Sequence, residues 1–166
     1  MCRLLLLFFA LLLTGRPAAA QDLELVQNRA FEVKYAVPPH WAVTRQRTDS
    51  VEVLRYHSPD DDARLWVGQL RGRHAALPPA RALQRLLRHL GATRHEEHRL
   101  SSHGLDFLES TGTCFVNGRE LRYEARVTAY QGHVLLVAVY ATPAAFTTQA
   151  PLLHQVLDSL APLRGK

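Results

Sequence analysis

The stretch from Glu120 to Ala129 limits the fold more than any other part of the chain. Leu121, Tyr123, Ala125, Val127 and Ala129 alternate with Glu120, Arg122, Glu124, Arg126 and Thr128. A period of two sends successive side chains to opposite faces, so the segment predicts a strand with one dry face and one charged face. Asn117-Gly118 precedes it and Gln131-Gly132 follows it. Asn-Gly is the strongest short hairpin signal, because both central residues of its turn need positive φ, and the second glycine suits a similar turn. The continuous apolar run from Val134 to Ala141 then fits a central strand covered on both faces. Three adjacent antiparallel strands, near 105–116, 119–130 and 133–141, follow from this pattern.

Upstream, Phe31, Val33, Tyr35 and Val37 alternate with Glu32, Lys34 and Ala36 until Pro38-Pro39 ends the strand. Trp41 reads as a buried corner anchor, since a tryptophan beside a proline turn can bury a large area. Residues 42–47 resume in extended form, and 51–57 and 64–70 are further β-rich runs. The loop between these last two holds Asp60, Asp61 and Asp62 but lacks the glycine and closing glutamate of a calcium loop, so it reads as a solvated turn. After Pro79 the period changes: Leu83, Leu86, Leu87 and Leu90 form one helical stripe, with Gly91 as its stop and Arg81, Arg85 and Arg88 on the opposite face. From Thr93 the chain returns to β. Thr142-Pro143 opens a C-terminal helical segment in which Leu153, Val156, Leu157 and Leu160 recur at helical spacing. Pro151 either divides this segment or starts its main part, and Pro162 ends it.

Residues 1–20 have the parts of a cleavable signal peptide: Arg3, an apolar run from Leu4 to Leu13, and Ala18-Ala19-Ala20 at the end. The run is too short for a span, which needs roughly 20 residues. Residues 21–166 are therefore expected to form a single globular α+β domain outside the cytoplasm, secreted or periplasmic, with no integral membrane span. Without Arg3 and Arg16, eighteen basic residues face fifteen acidic ones, a formal net charge of +3. That excess is mild and is not interleaved with aromatic residues, so no nucleic-acid partner is expected. Cleavage also removes Cys2 and leaves Cys114 alone, which makes an internal disulfide impossible and a buried thiol the expectation.

The densest chemistry is Arg94-His95-Glu96-Glu97-His98, with His103 five residues further on. Histidine and carboxylate together are ligands for zinc or copper, so His95, His98 and His103 are the candidate metal ligands. Their spacing differs from both catalytic zinc patterns, His-Glu-x-x-His and His-x-x-Glu-His, because only two residues separate His95 from His98. If this stretch is a strand, His95 and His98 point to opposite faces, while a turn at Ser101-Ser102 separates them from His103. The other histidines, His40, His57, His74, His89, His133 and His154, are scattered singly. The sequence contains no Gly-x-Ser-x-Gly elbow, phosphate loop or dinucleotide fingerprint, and neither an enzyme nor a bound cofactor is expected.

The segment Phe31-Glu32-Val33-Lys34-Tyr35-Ala36-Val37-Pro38-Pro39-His40-Trp41 resembles the first hairpin of PsbP-like and DcrB-like proteins, and His154-Gln155-Val156-Leu157-Asp158-Ser159-Leu160 resembles their closing helix. The order of strands, helix, strands and helix between these ends is also similar. The resemblance implies an α+β fold with a central antiparallel sheet flanked by helices, an α/β/α sandwich, in small extracytoplasmic proteins that often act without catalysis. The leading expectation is thus an exported, non-enzymatic accessory or binding protein of the cell envelope, with an envelope protein as its partner. The alternative is a metal-binding or metal-dependent protein using His95, His98 and His103. A third reading is a small apolar ligand held between helix and sheet.

Overall fold

The computed structural model describes residues 23–164, so the signal peptide expected at residues 1–20 lies outside them. In chain order the elements are β1 (Glu24–Asn28), β2 (Val33–Val37), β3 (Ala42–Arg47), β4 (Val51–His57), β5 (Ala63–Leu70), a 3-10 turn at Gly72–His74, α1 (Pro79–Leu90), β6 (Ala92–Ser102), β7 (Leu105–Val116), β8 (Arg119–Tyr130), β9 (His133–Ala141), α2 (Pro143–Asp158) and β10 (Ala161–Pro162). The fold is α+β and mostly sheet. A seven-stranded sheet has the order β3-β4-β5-β9-β8-β7-β6, and β1, β2 and β10 form a second, three-stranded sheet. Every pairing is antiparallel.

The run from Val134 to Ala141 is buried throughout and serves two cores. Leu135, Val137, Val139 and Ala141 join a cluster with Leu65, Val67, Tyr35, Phe146, Leu153 and Leu157. Val134, Leu136, Ala138 and Tyr140 join another with Trp66, Leu83, Leu87, Leu90, Leu121 and Tyr123. α1 therefore covers one face of the large sheet, while α2 and the small sheet share the other. α1 forms because its leucines recur at helical spacing, and Gly91 ends it at φ 64°, where its N–H donates to the Leu87 and Arg88 carbonyls.

The meander from β6 to β9 turns three times through two-residue loops. Asn117-Gly118 and Gln131-Gly132 are the turns read from the sequence, with φ values of 52° and 77°, and 51° and 76°. The third turn corrects an expectation: it falls at His103-Gly104, with φ 51° and 76°, and not at Ser101-Ser102. Both serines remain in β6, paired to Asp106 and Leu105. The reason lies in backbone sterics, since a turn with two positive φ angles favours a glycine at its second position.

Other boundaries also differ from the sequence reading. α2 is one helix with the exposed Pro151 inside it, so Pro151 neither divides the helix nor begins it. The helix ends at Asp158, well before Pro162. Ser159 Oγ accepts a hydrogen bond of 2.7 Å from the Ala36 N–H and donates one of 2.6 Å to the Val156 carbonyl. This ties the helix end to β2, and the chain continues as β10 along that same strand. β1, which carries no clear alternation, is the other strand not legible beforehand. Trp41 is half-buried against the α2-side core, and the deeply buried tryptophan is Trp66, 9% exposed. Among the described residues no helix is long and apolar enough to cross a membrane.

Two substitutions separate backbone strain from packing. Gly118→Ala meets no atom within 4 Å yet must hold a left-handed φ, so it should cost about 1–2 kcal/mol. Leu83→Ala empties a fully buried site and should cost about 2–5 kcal/mol. Urea unfolding midpoints should rank the two variants in that order.

Candidate functional site

The charged face of β8 is exposed at Glu120 and Arg122 but closes off further along the strand. Glu124, Arg126 and Thr128 are all buried, because they lie on the side of the sheet that α2 covers. Arg126 uses all three guanidinium nitrogens: Nε donates to Glu109 Oε1 at 2.7 Å, Nη1 to Asp158 Oδ1 at 2.6 Å, and Nη2 to Glu124 Oε1 at 3.0 Å. Glu109 stands directly opposite Arg126 on β7, and Asp158 is the last residue of α2. One guanidinium thus joins two strands and a helix. Burial opposes its charge, but Asp158 and Glu109 hold it firmly protonated.

His154, one helical turn before Asp158, brings Nε2 within 3.1 Å of Glu124 Oε2. His154 is therefore not a lone histidine. Burial, followed by the nearby Glu109 carboxylate, pushes the Glu124 carboxyl above its usual range, against the pull of Arg126 and His154. The cluster sets three carboxylates, Glu109, Glu124 and Asp158, around Arg126, and Glu124 is the most deeply buried of them.

A groove of about 710 Å³ opens beside this network. Thr111, Thr113, Arg122 and Glu124 from β7 and β8 form its floor, the β6 residues His95 and Glu96 one rim, and Phe146, Thr147 and His154 of α2 the other. The Arg122 guanidinium carbon sits 4.9 Å from the centroid of the Phe146 ring, a cation–π contact that ties the floor to the α2 rim. The groove offers carboxylate, imidazole, guanidinium, hydroxyl and aromatic groups above an immobile ionic base. Such a surface suits a polar or zwitterionic segment.

The structure does not bring His95, His98 and His103 together. β6 is exposed along most of its length. His95 lies 3.9 Å from Glu97 and His98 lies 3.6 Å from Glu96, each histidine beside the carboxylate two residues away on its own side of the strand. His103 occupies the hairpin turn, about 16 Å along the strand from His98 at ~3.3 Å per residue. Among the described residues no group of three or more histidine, cysteine, aspartate or glutamate side chains is gathered in a way that could hold a metal ion. Only His95 of the three borders the groove. Cys114 is fully buried on the α1 side, and burial pushes its thiol up to about 11.

In the sequence these residues read only as the charged face of a strand and, for His154, as one of several histidines scattered singly. The signal that could have found them is the pair His154 and Asp158, spaced i, i+4 on α2 beside the buried pair Leu153 and Leu157. Polar groups bordering an apolar stripe at helical spacing must face whatever lies under the helix edge.

A large antiparallel sheet covered by one helix on one face, and by a second helix with a small sheet on the other, places the chain in the PsbP-like fold. Cyanobacterial PsbP (CyanoP) from Synechocystis sp. PCC 6803 matches with a TM-score of 0.62 at 13% identity, over 86% of this chain and 94% of its own. PA94 of Pseudomonas aeruginosa, a protein of unknown function, matches at 0.53 and 17% identity over 84% of this chain and 96% of its own. LpqN of Mycobacterium tuberculosis, described as involved in cell envelope biogenesis, matches at 0.50 and 16% identity over 78% of this chain and 82% of its own. No protein-family model and no curated protein matches the sequence.

Two measurements test the network. Arg126→Ala leaves Glu109 and Glu124 buried without their cation and should lower stability by about 3–5 kcal/mol at neutral pH. Glu124→Gln should stabilise the protein at about pH 7.5 and lose that advantage by about pH 4.5. The sign follows from a folded-state pKa raised above the unfolded one. Protonated Glu124 favours the folded state at low pH, and that contribution is lost as pH rises through the folded pKa, whereas glutamine is neutral throughout. The difference in urea midpoint between variant and wild type, followed with pH, reads it directly.

Proposed function

We propose that the protein is an exported accessory protein of the cell envelope that works by binding, and that its partner engages the groove between β6, β7, β8 and α2. The observation that carries this reading is the groove itself, whose base is locked by Arg126, with Arg122 exposed on its floor and His95, Glu96 and His154 at its rims. A rigid base with adaptable polar edges loses little order on binding. The fold shared with CyanoP and with LpqN, the latter described as involved in cell envelope biogenesis, agrees with an extracytoplasmic role. The signal-peptide pattern of residues 1–20 supplies the route out.

Expression in a host with an intact export pathway should yield a protein whose mass places its first residue at Gln21. Immobilised on a support and exposed to envelope extract, that protein should retain a partner that Arg122→Glu, a reversal of an exposed groove charge, releases by at least about tenfold. Retention of the leader in the mature protein overturns the export reading. Equal capture by Arg122→Glu and wild type, or turnover of a substrate by the pure protein, overturns binding at the groove.

A further inference from the structure

We infer that the outward face of α1, together with the 3-10 turn before it, is a docking surface for an anionic phospholipid membrane. This surface lies on the opposite side of the sheet from the ionic groove and shares no residue with it. Its origin is a segregation of charge along the chain. Between Asp62 and Glu96 there are seven arginines and no carboxylate, whereas the rest of residues 21–166 holds eleven basic and fifteen acidic residues. The mild overall excess thus conceals one strongly basic segment and a remainder of opposite sign.

The fold gathers much of that segment on one surface. Ala82, Leu83, Leu86, Leu87 and Leu90 are buried against the sheet, so Arg81, Arg85 and Arg88 stand on the other side of the helix, all exposed. Spaced i, i+4 and i+7, they form a stripe about 10 Å long at ~1.5 Å per residue. The helix has no acidic residue on any face, and Arg81 stands in its first turn, where the helix dipole disfavours a cation. Arg85 Nη1 lies 3.2 Å from both ring nitrogens of His74, and Arg73 Nε lies 3.4 Å from His74 Nε2. Among the described residues none of Arg73, Arg81, Arg85 and Arg88 forms an ion pair. Arg71, two residues before Arg73, shares the buried Glu52 with Arg45 and Arg47, so one carboxylate there faces three cations.

Charge and shape together select the occupant. Like charges held at helical spacing repel one another, and an anionic surface laid against them relieves that repulsion. A protein partner is gripped by aromatic or apolar anchors at the centre of a desolvated patch. The exposed large apolar residues among the described residues are Leu25, Val43 and Phe115, and none belongs to α1 or to the turn before it. A convex row of arginines needs only charge density opposite it, which a sheet of anionic headgroups supplies. The apolar face of α1 is already buried, so the contact is peripheral and sensitive to salt. The net-negative remainder of the chain is repelled by the same membrane, which favours one orientation.

The test floats the mature chain, residues 21–166, with phosphatidylcholine vesicles containing phosphatidylglycerol, against phosphatidylcholine alone as the neutral control. The protein should bind the anionic vesicles at low ionic strength, ignore the neutral ones, and come off at about 0.5 M salt. An arginine beside an anionic surface strengthens binding about fivefold, so Arg81→Gln, Arg85→Gln and Arg88→Gln together should weaken it about 100-fold. Arg29→Gln, Arg99→Gln and Arg119→Gln together remove the same charge elsewhere and should weaken it by less than about threefold. Glutamine is a good helix former; if the α1 triple variant nonetheless fails to unfold cooperatively in urea, Arg85→Gln alone replaces it, with a loss of about fivefold. Absence of binding to anionic vesicles, equal binding to neutral ones, or equal loss in the two triple variants each overturns the proposal. Tighter binding of poly-glutamate than of anionic vesicles at matched charge also overturns it and assigns the face to an acidic protein partner. The vesicles read α1 alone, so the outcome is independent of export and of capture at the groove.

Discussion

Everything in this molecule hangs on β9, a strand with no solvent face from Val134 to Ala141. Its odd-numbered side chains belong to the α2-side core and its even-numbered ones to the α1-side core. A one-residue slip would exchange every side chain between the two cores at once, so burial on both faces fixes the register with unusual stringency. That register passes outward through β5 and β8, and it decides which residues can meet. Arg126 reaches Glu109 and Asp158, and Arg55 reaches Trp66, because β9 holds the neighbouring strands in one alignment. The sheet also acts as a partition, with an ionic groove on one side and a cleft with apolar walls on the other.

The Arg126 network shows how a sheet tolerates charge beneath a helix. Each ion would be costly to bury alone, and the cost is offset only when the pairs are well placed and every donor is used. Here all three guanidinium nitrogens have partners, and Asp158 keeps partial contact with water at 61% exposed. The arrangement also orients α2. Leu153, Val156 and Leu157 supply its attraction to the sheet, but apolar packing is not directional. His154 and Asp158 give the helix a rotational setting, since only one rotation brings both over Glu124 and Arg126.

Much of the strand pattern was legible because it rests on local rules. The alternation in β8, the Asn117-Gly118 turn, the leucine stripe of α1 and its stop at Gly91 all depend on periodicity or on the φ angle that one residue type permits. The missed features depend on distant partners. β10 is two residues long and exists only because β2 offers it an edge. The buried state of Glu124 and Arg126 is set by α2, which lies beyond the next strand in sequence, and an Arg-Glu alternation reads alike whether water or a helix covers it. His103 looked like part of a histidine cluster and proves to be a turn residue. In sequence a near neighbour on a strand resembles a near neighbour in space, but the pleat and the hairpin separate His95, His98 and His103.

The pairing of β5 with β9 has a kinetic consequence. β3, β4 and β5 pair with their sequence neighbours, and so do β6, β7, β8 and β9 across their tight turns. The two blocks meet along one seam, where Ala63 pairs with Ala141 and Gln69 with Leu135. Local hairpins close on a timescale of about 1–10 μs, whereas a contact between residues so far apart must first overcome the entropy of a long loop. α1 lies within that loop. The slow event in forming the sheet is therefore a single act of joining, and until it happens β5 and β9 each present a bare apolar edge. During that interval the chain is exposed to pairing with another copy of itself, so the rate at which this seam closes governs how safely the protein can be made at high concentration.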